Sequence, residues 1–303
     1  MKILHLSDYQ GVEYLSDLVL HGGRQTFGAD YVDFPQVPHM YKSFPSEKSY
    51  FMYGRGFTIA RRLDDIEIDR NDIMQKISDK FFDVVIFASH ISHGFADGVI
   101  NHMMQSGYTK KNMVFLDDHD MPERFSRHFS LYGSYFKREN NHNTPSYIIP
   151  IGYAVPEEMY IEKPNKENKY AYVLPYRTET YIFNDEQSYY ADYAKSYFGI
   201  TMKKAGWDCL RHYEILANYC MPLFYELNQC PTNIMHRFPK EMLQNYLRTI
   251  EKPMSEISIW KDRNEWPDIE ITDDYNNTMK EMWEYGRKNL TTKNLINYIL
   301  SKI

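Results

Sequence analysis

Short apolar runs alternate with amphipathic stretches along most of the chain. The first run, residues 2–6, ends at Ser7-Asp8 and precedes a helical pattern through Tyr14 and Val19. Further apolar runs predict strands at 31–34, 81–88, 112–116 and 147–151, and residues 94–104 have helical spacing. Continuous apolar runs are typical of strands that are buried on both faces of a parallel sheet. The first half therefore predicts a doubly wound α/β domain.

A second alternation follows a polar segment rich in Lys, Glu and Pro at 156–168, which has the composition of an interdomain linker. It predicts strands at 170–174, 198–202 and 221–225 and helices at 186–196, 208–218, 240–248, 273–287 and 292–303. Pro239 opens one of these helices, and Thr291 supplies the N-cap of the last. Because 303 residues exceed the usual size of one core, we predict two domains, 1–160 and 161–303.

Net charge and segment lengths narrow the functional classes. A formal charge of −6 argues against a nucleic-acid footprint over the whole protein, although a single basic groove stays open. Neither a secretory signal nor an apolar stretch of membrane-spanning length is present, so we expect a cytoplasmic protein. Three cysteines without CxxC spacing predict free thiols. The sequence also lacks GxGxxG after the first strand, GxxxxGK[ST] and GxSxG, which disfavours dehydrogenases, P-loop enzymes and α/β-hydrolases.

The segment 199–222 carries the most informative chemistry. A strand ends at Lys203 and Lys204 and turns through Gly206 into a helix, which gathers cationic side chains and free backbone N–H groups at one point. Glu214, two turns or less beyond Asp208, is placed to accept hydrogen bonds from the two hydroxyls of a ribose. The simpler interpretations are a solvated lysine pair and an exposed Glu214 paired with Arg211. We expect Trp207 to pack.

The stretch GWDCLRHYEILANYCMPLFYELNQCP resembles the donor-binding half of GT-B glycosyltransferases, especially exostosin-like and related bacterial and viral enzymes. YGRGFT at 53–58, FLDDHD at 115–120 and YFKRE at 135–139 are similar to segments of glycosyltransferase-like proteins in the same order. The resemblance implies two Rossmann-like domains with parallel sheets that face an interdomain cleft. It implies an acceptor lobe first, a nucleotide-sugar lobe second, and a last helix that returns across the first. One departure is Asn218-Tyr219, where many relatives have glycine.

The implied reaction transfers a sugar from a nucleotide-sugar donor to a hydroxyl of a glycan, a lipid-linked saccharide or a modified nucleobase. In this resemblance Glu214 binds the ribose, and Arg211 and His212 border the diphosphate or the sugar, with Lys203, Lys204, Gly206 and Arg177 as further donor contacts. A general base is needed. Its candidates are Asp8, Asp118 and Asp120, which the sequence does not rank, with His90 and His93 in addition. The sequence predicts no cofactor and no required divalent metal.

Two alternatives belong to other classes. Asp118-x-Asp120 has the form of the DxD motif with which GT-A transferases hold Mg²⁺ or Mn²⁺ against a diphosphate. Four polar residues after a strand are more often a turn and an N-cap, so we favour an acceptor-side or structural role. The second alternative is a non-catalytic nucleotide-binding or glycan-binding protein. We expect Lys137 and Arg138 to form a small solvated basic spot.

Overall fold

The structure, a computed structural model that describes residues 1–9 and 11–303, contains two separate parallel sheets, as the alternating pattern predicts. The first sheet has six strands: β1 (Ile3–Leu6), β2 (Tyr31–Phe34), β3 (Val84–Phe87), β4 (Met113–Asp117), β5 (Ser134–Lys137) and β6 (Ile149–Pro150). Their order in the sheet is β2-β1-β3-β4-β5-β6. The second sheet has three strands in the order of the chain: β7 (Asn168–Tyr170), β8 (Ser196–Met202) and β9 (Met221–Tyr225). We call residues 1–155 the first lobe and residues 168–290 the second lobe.

Helices cover both faces of the sheets. They are α1 (Tyr14–Phe27), α2 (Ser46–Ser49), α3 (Ile73–Ser78), α4 (His93–Gln105), α5 (Glu186–Lys195), α6 (Leu210–Ala217), α7 (Lys240–Thr249), α8 (Glu251–Glu256), α9 (Asp273–Asn289) and α10 (Thr292–Leu300). Successive strand residues point to opposite faces, so Ile3 and Val84 join the cluster around α1, whereas Leu4 and Val85 join the cluster around α3 and α4. The cluster around α1 continues through β8, β9 and α9, so the two lobes share a core.

One predicted strand needs correction, and one strand of the structure was not predicted. The strand predicted at 170–174 lies earlier, at β7, because pairing with β8 ends once the Ala171 N–H donates to Phe198 O at 2.8 Å. The next amide, that of Tyr172, donates to the Asp192 carboxylate at 2.6 Å, which takes it out of the sheet. The sequence analysis also missed β5, whose four residues include the polar Ser134 and Lys137 and show no continuous apolar run.

The last helix returns across the first lobe, as the resemblance implies. Thr291 caps α10 by accepting a hydrogen bond from the Asn294 amide at 3.3 Å, which confirms the predicted N-cap. The adjoining Thr292 amide donates to Val155 O at 3.1 Å, and its hydroxyl lies 2.9 Å from His21 Nδ1 on α1. The helices α1 and α10 therefore pack side by side. None of the helices in the described part of the chain combines the length and apolar character needed to cross a bilayer.

The close approach of α10 depends on Gly22 in α1. A Cβ atom at this position would lie 2.0 Å from the Thr292 carbonyl oxygen, a backbone atom that a side-chain rotation does not move away. We predict that Gly22→Ala lowers the free energy of unfolding by about 1–3 kcal/mol, because the two helices must separate. Urea unfolding followed by circular dichroism measures the difference.

Gly98→Ala is the matched control, since Gly98 lies within α4 and a Cβ there meets no atom within 4 Å. This variant is expected to gain about 0.5–1 kcal/mol through the better helix propensity of alanine. Equal stabilities for the two variants would contradict the packing of α10 on α1.

Candidate active site

A cavity of about 930 Å³ lies between the lobes, within the size range of small-molecule sites. Its first-lobe wall comes from segments that follow each of the six strands β1 to β6, and its second-lobe wall comes from loops after β7 and β8 and from α5 and α6. The carboxyl ends of both parallel sheets thus face one space. Aromatic side chains form much of the lining: Tyr14, Tyr53, Phe57, Tyr153, Tyr176, Tyr181, Phe183 and Tyr189.

The strand order locates the chemistry of the first lobe. From β1 the chain moves to β2 on one side and later returns to β3 on the other, so the sheet has its topological switch point between β1 and β3. Open parallel sheets bind their ligands outside the carboxyl ends of the strands at such a point. Glu13 follows β1 and His90 follows β3, and both line the cavity.

Glu13 and His90 form a pair at this switch point. His90 Nδ1 contacts Glu13 Oε1, and the hydrogen bond to this carboxylate raises the pKa of His90. The glutamate is buried, whereas 54% of the His90 side chain is exposed, so the imidazole is the accessible member. The sequence offers His90 only as an additional candidate and does not predict Glu13, because nothing local indicates that the β1 and β3 loops meet.

Glu214 is buried in the second-lobe wall and accepts hydrogen bonds from three hydroxyls. Tyr190 lies 2.9 Å from Oε1 and Tyr189 lies 3.1 Å from Oε2, and the Thr58 hydroxyl of the first lobe also donates to Oε1. Burial raises the pKa of Glu214, opposed by these hydrogen bonds. The simpler alternative, an exposed Glu214 paired with Arg211, does not hold, since Glu214 is 6% exposed and no salt bridge joins the two residues in the described structure.

Arg211 and Lys204 supply the positive charge of the second-lobe wall. The Arg211 guanidinium donates to the Tyr181 hydroxyl at 2.9 Å, while its buried Nε has no hydrogen-bond partner. Within the described residues, no carboxylate lies close enough to Arg211 for a salt bridge, although the Glu214 charge acts on it and raises its pKa together with the neighbouring tyrosines. Lys204 lines the cavity with its ammonium 5.7 Å from the centre of the Tyr176 ring. The arrangement leaves both cations available to an anionic ligand.

The Gly206 turn is occupied by protein carboxylates. Glu139 accepts from the Asp208 amide at 2.8 Å, and a Cβ atom at Gly206 would come within 2.5 Å of Glu139 and 2.7 Å of Asp120. Only glycine lets the two lobes approach this closely. The sequence predicts a ligand's phosphate at this turn, whereas the first lobe places its own carboxylates there.

Arg138 is the centre of this carboxylate cluster. Its guanidinium is paired with Glu139 at 2.8 Å and contacts Asp118 and Asp120, and it also donates to backbone oxygens. The expectation that Lys137 and Arg138 form a solvated spot is wrong, because both are buried. The strand β5 carries them into the junction between the lobes, where Lys137 lies 3.2 Å from Asp117 and burial lowers its pKa.

The three predicted base candidates are already engaged. Asp118 accepts from Tyr153 at 2.7 Å as well as from Arg138, and Asp120 is held by Arg138. Both line the cavity. Asp8 does not, since its carboxylate accepts from the amide of Ser92 at 2.9 Å and thereby caps the start of α4.

Four further predicted residues lie outside the cavity lining. Arg177 pairs with Glu179 and donates to Ile259 O at 2.6 Å. Lys203 is exposed with its ammonium 5.3 Å from the Trp207 ring, which itself packs against the core. The remaining two are histidines: His212, bound to Thr201 and Trp207 at 2.8 and 2.9 Å, and His93, stacked on Phe129 at 4.6 Å. Burial lowers the pKa of His212 to about 3, so it is neutral.

Asp208 is a buried carboxyl group of the cavity lining. Its Oδ2 accepts from the Tyr153 amide at 3.1 Å, and the Tyr213 hydroxyl also acts on this carboxyl group. Burial raises its pKa to about 7, with Arg138 opposing and Glu139 adding to the shift. The sequence analysis treated Asp208 only as the start of a helix. Within residues 1–9 and 11–303, no set of three or more His, Cys, Asp or Glu side chains is arranged to hold a metal ion.

Comparisons with known proteins found no match. No protein-family model matches the chain, and none of the curated proteins or solved structures compared with it is significantly similar. The geometry of the cavity is therefore the main basis for a functional proposal.

The Arg138 cluster gives a stability prediction. Arg138→Met leaves the Asp118 and Glu139 carboxylates buried without their cation, so we expect the free energy of unfolding to fall by about 3–5 kcal/mol at neutral pH. Burial already raises the pKa of both carboxyl groups, and loss of the cation raises it further. Protonation then relieves the buried charge as the pH falls, so the deficit relative to wild type shrinks in acid.

Urea unfolding over a range of pH measures this deficit. Lys280→Met is the matched control, because it also removes one positive charge but from an exposed pair with Glu284 at 3.9 Å, and little change is expected. A deficit for Arg138→Met that is as small as the control's would contradict the central role of the guanidinium.

Proposed function

We propose that this protein is a glycosyltransferase of the GT-B type that moves a sugar from a nucleotide-sugar donor to an acceptor hydroxyl. One observation carries the proposal. The cavity at the carboxyl ends of both sheets has the cations Arg211 and Lys204, which form no salt bridge within the described residues, on one wall and the accessible His90, paired with buried Glu13, on the other. Group transfer with departure of a diphosphate needs this combination of an anion site and a base.

The donor diphosphate would bind to Arg211, Lys204 and the first turn of α6, whose backbone N–H groups begin after Cys209. Glu214 would bind the ribose by exchange of hydroxyls, with the ribose diol replacing the Thr58 and Tyr190 hydroxyls on Oε1. The exchange keeps the buried carboxylate hydrogen-bonded throughout, which avoids the cost of an unsatisfied charge.

His90 replaces the three aspartates as the proposed general base. Its Nδ1 is held by Glu13, so Nε2 is the nitrogen that would accept the proton of the acceptor hydroxyl. In a direct displacement the acceptor oxygen forms a bond to the anomeric carbon while the bond from that carbon to the diphosphate oxygen breaks. The nucleoside diphosphate leaves with the electron pair, and Arg211 and Lys204 stabilise its charge.

The metal-dependent alternative is less well supported. It requires Asp118 and Asp120 to coordinate a divalent cation, and both carboxylates are bound to the buried guanidinium of Arg138. A metal ion there would compete with a cation that the fold already supplies. The GT-B proposal needs no such displacement.

Nucleoside diphosphates are expected to raise the melting temperature without added Mg²⁺, because a ligand that binds only the folded state stabilises it. Lys204→Met should weaken this binding about tenfold, through loss of one charge-assisted contact. The neighbouring Lys203→Met is the control and should match wild type, since Lys203 does not line the cavity. A thermal-shift titration with uridine, guanosine, adenosine and cytidine diphosphates makes the measurement.

Other outcomes point elsewhere. A shift that requires Mg²⁺ or Mn²⁺ would favour the Asp118 and Asp120 alternative, and no shift with any diphosphate would favour a non-catalytic binding protein. Equal losses in the two lysine variants would contradict the placement of the diphosphate.

The general base gives a pH-dependent prediction. His90 acts as a base only when neutral, and Glu13 raises its pKa, so the rate should rise with pH through that pKa. Glu13→Gln should move the rise to lower pH, because the neutral amide no longer favours the imidazolium. Hydrolysis of the best-binding nucleotide sugar, followed by diphosphate release across pH 5–9, measures the profile.

His90→Gln should lower kcat by about 100- to 10,000-fold. His93→Gln is the matched control, since that histidine stacks on Phe129 outside the cavity. A Glu13→Gln profile that coincides with wild type would exclude His90 as the titrating base.

A further inference from the structure

A second depression of about 480 Å³ in the first lobe adjoins the main cavity. We propose that this groove binds the acceptor, and that the acceptor is a neutral saccharide chain. The inference rests on the proposed function, since it assigns the second substrate of the same reaction. The residues that carry it are Tyr9, Val12, Phe44, Met52 and Tyr53.

The groove is continuous with the place where the proposed base lies. Val12 and Tyr53 line both the groove and the main cavity, and Val12 immediately precedes Glu13. The Tyr9 ring lies edge-on to the His90 ring, with their centres 5.5 Å apart. A chain that occupies the groove therefore ends beside the imidazole that would take a hydroxyl proton.

The described lining of the groove has no exposed charged side chain. None of its described lining residues is Asp, Glu, Lys or Arg, and its histidine, His39, is buried and holds Asp17 at 2.9 Å. A nucleic-acid groove needs Lys and Arg along the phosphate backbone, because affinity for polyanions comes from phosphate neutralisation. The lining thus favours a neutral acceptor over DNA and over anionic glycans.

Exposed aromatic rings identify the chemistry of the ligand. Tyr9 is 46% exposed and Tyr53 is 71% exposed, although burying such rings is favourable. The negative face of an aromatic ring attracts weakly positive C–H groups, which pyranose rings present on their flat sides. The tyrosine hydroxyls add hydrogen-bonding groups, so each ring matches a ligand that is apolar on its faces and polar at its edges.

The test measures saccharide binding apart from catalysis. The probes are maltohexaose, cellohexaose and chitohexaose, with a single-stranded deoxyoligonucleotide as the competing class, in saturation-transfer NMR titrations of the whole protein. At least one oligosaccharide should bind, and Tyr9→Ala and Tyr53→Ala should each weaken that binding about three- to tenfold. Tyr53→Phe keeps the ring and should retain most of it.

Tyr147→Ala is the matched control, because Tyr147 is similarly exposed but lies outside both lining sets. The nucleoside diphosphate shift, measured on the same samples, shows that each variant is folded and reports on the donor site separately.

A diphosphate shift without oligosaccharide binding would contradict the proposal that the groove binds a saccharide, and would leave the transferase proposal standing. The same holds for a diphosphate shift with oligosaccharide binding that the tyrosine variants do not alter. Binding of the oligonucleotide that Tyr9→Ala and Tyr53→Ala both abolish would also contradict the proposal that the groove binds a neutral saccharide. Oligosaccharide binding without any diphosphate shift overturns the acceptor role together with the proposed function.

Discussion

A buried guanidinium holds the junction of the two lobes. Arg138 leaves β5 of the first lobe and meets Asp118, Asp120 and Glu139 beneath the Gly206 turn of the second lobe. A charge in this position must be paired, and the pairing is geometrically strict because the guanidinium is planar and its donors are fixed. The turn before α6, and with it the second-lobe wall of the cavity, is positioned by this cluster.

Because Arg138 pairs with the carboxylates of the junction, other charged groups of the cavity remain to bind a ligand. Two of the three aspartates that the sequence offers as general bases, Asp118 and Asp120, are bound by Arg138, whereas within the described residues Arg211 and Lys204 line the cavity without a salt bridge to a carboxylate. The first-lobe wall then offers His90, which Glu13 orients from its buried side. In the proposed transfer, Arg211 and Lys204 on one wall of the cavity bind the diphosphate, and His90 on the opposite wall accepts the proton of the acceptor hydroxyl.

The first lobe also reaches across to the second on the other side of the cavity. The Thr58 amide donates to Glu186 at 2.7 Å and its hydroxyl to Glu214, and Arg55 donates to Asn184 at 2.8 Å. Glu214 is therefore completed by a residue that lies far from it in the sequence. Any ribose that binds this carboxylate must replace hydroxyls that come from both lobes, which couples occupancy of the proposed donor site to the contact between them.

The sequence by itself determined the alternation of strands and helices, the parallel sheets and the Thr291 cap, because hydrophobic periodicity and capping are local properties. The backbone at Asn218-Tyr219 was marked by the resemblance and not by the sequence alone, and Tyr219 has the left-handed φ of 53° that glycine adopts most readily. Only the tertiary structure decided that Arg138 is buried and that Glu13 meets His90. Those outcomes depend on strand order and on which loops come together, and the pairing of a charge depends on neighbours that are distant in the chain.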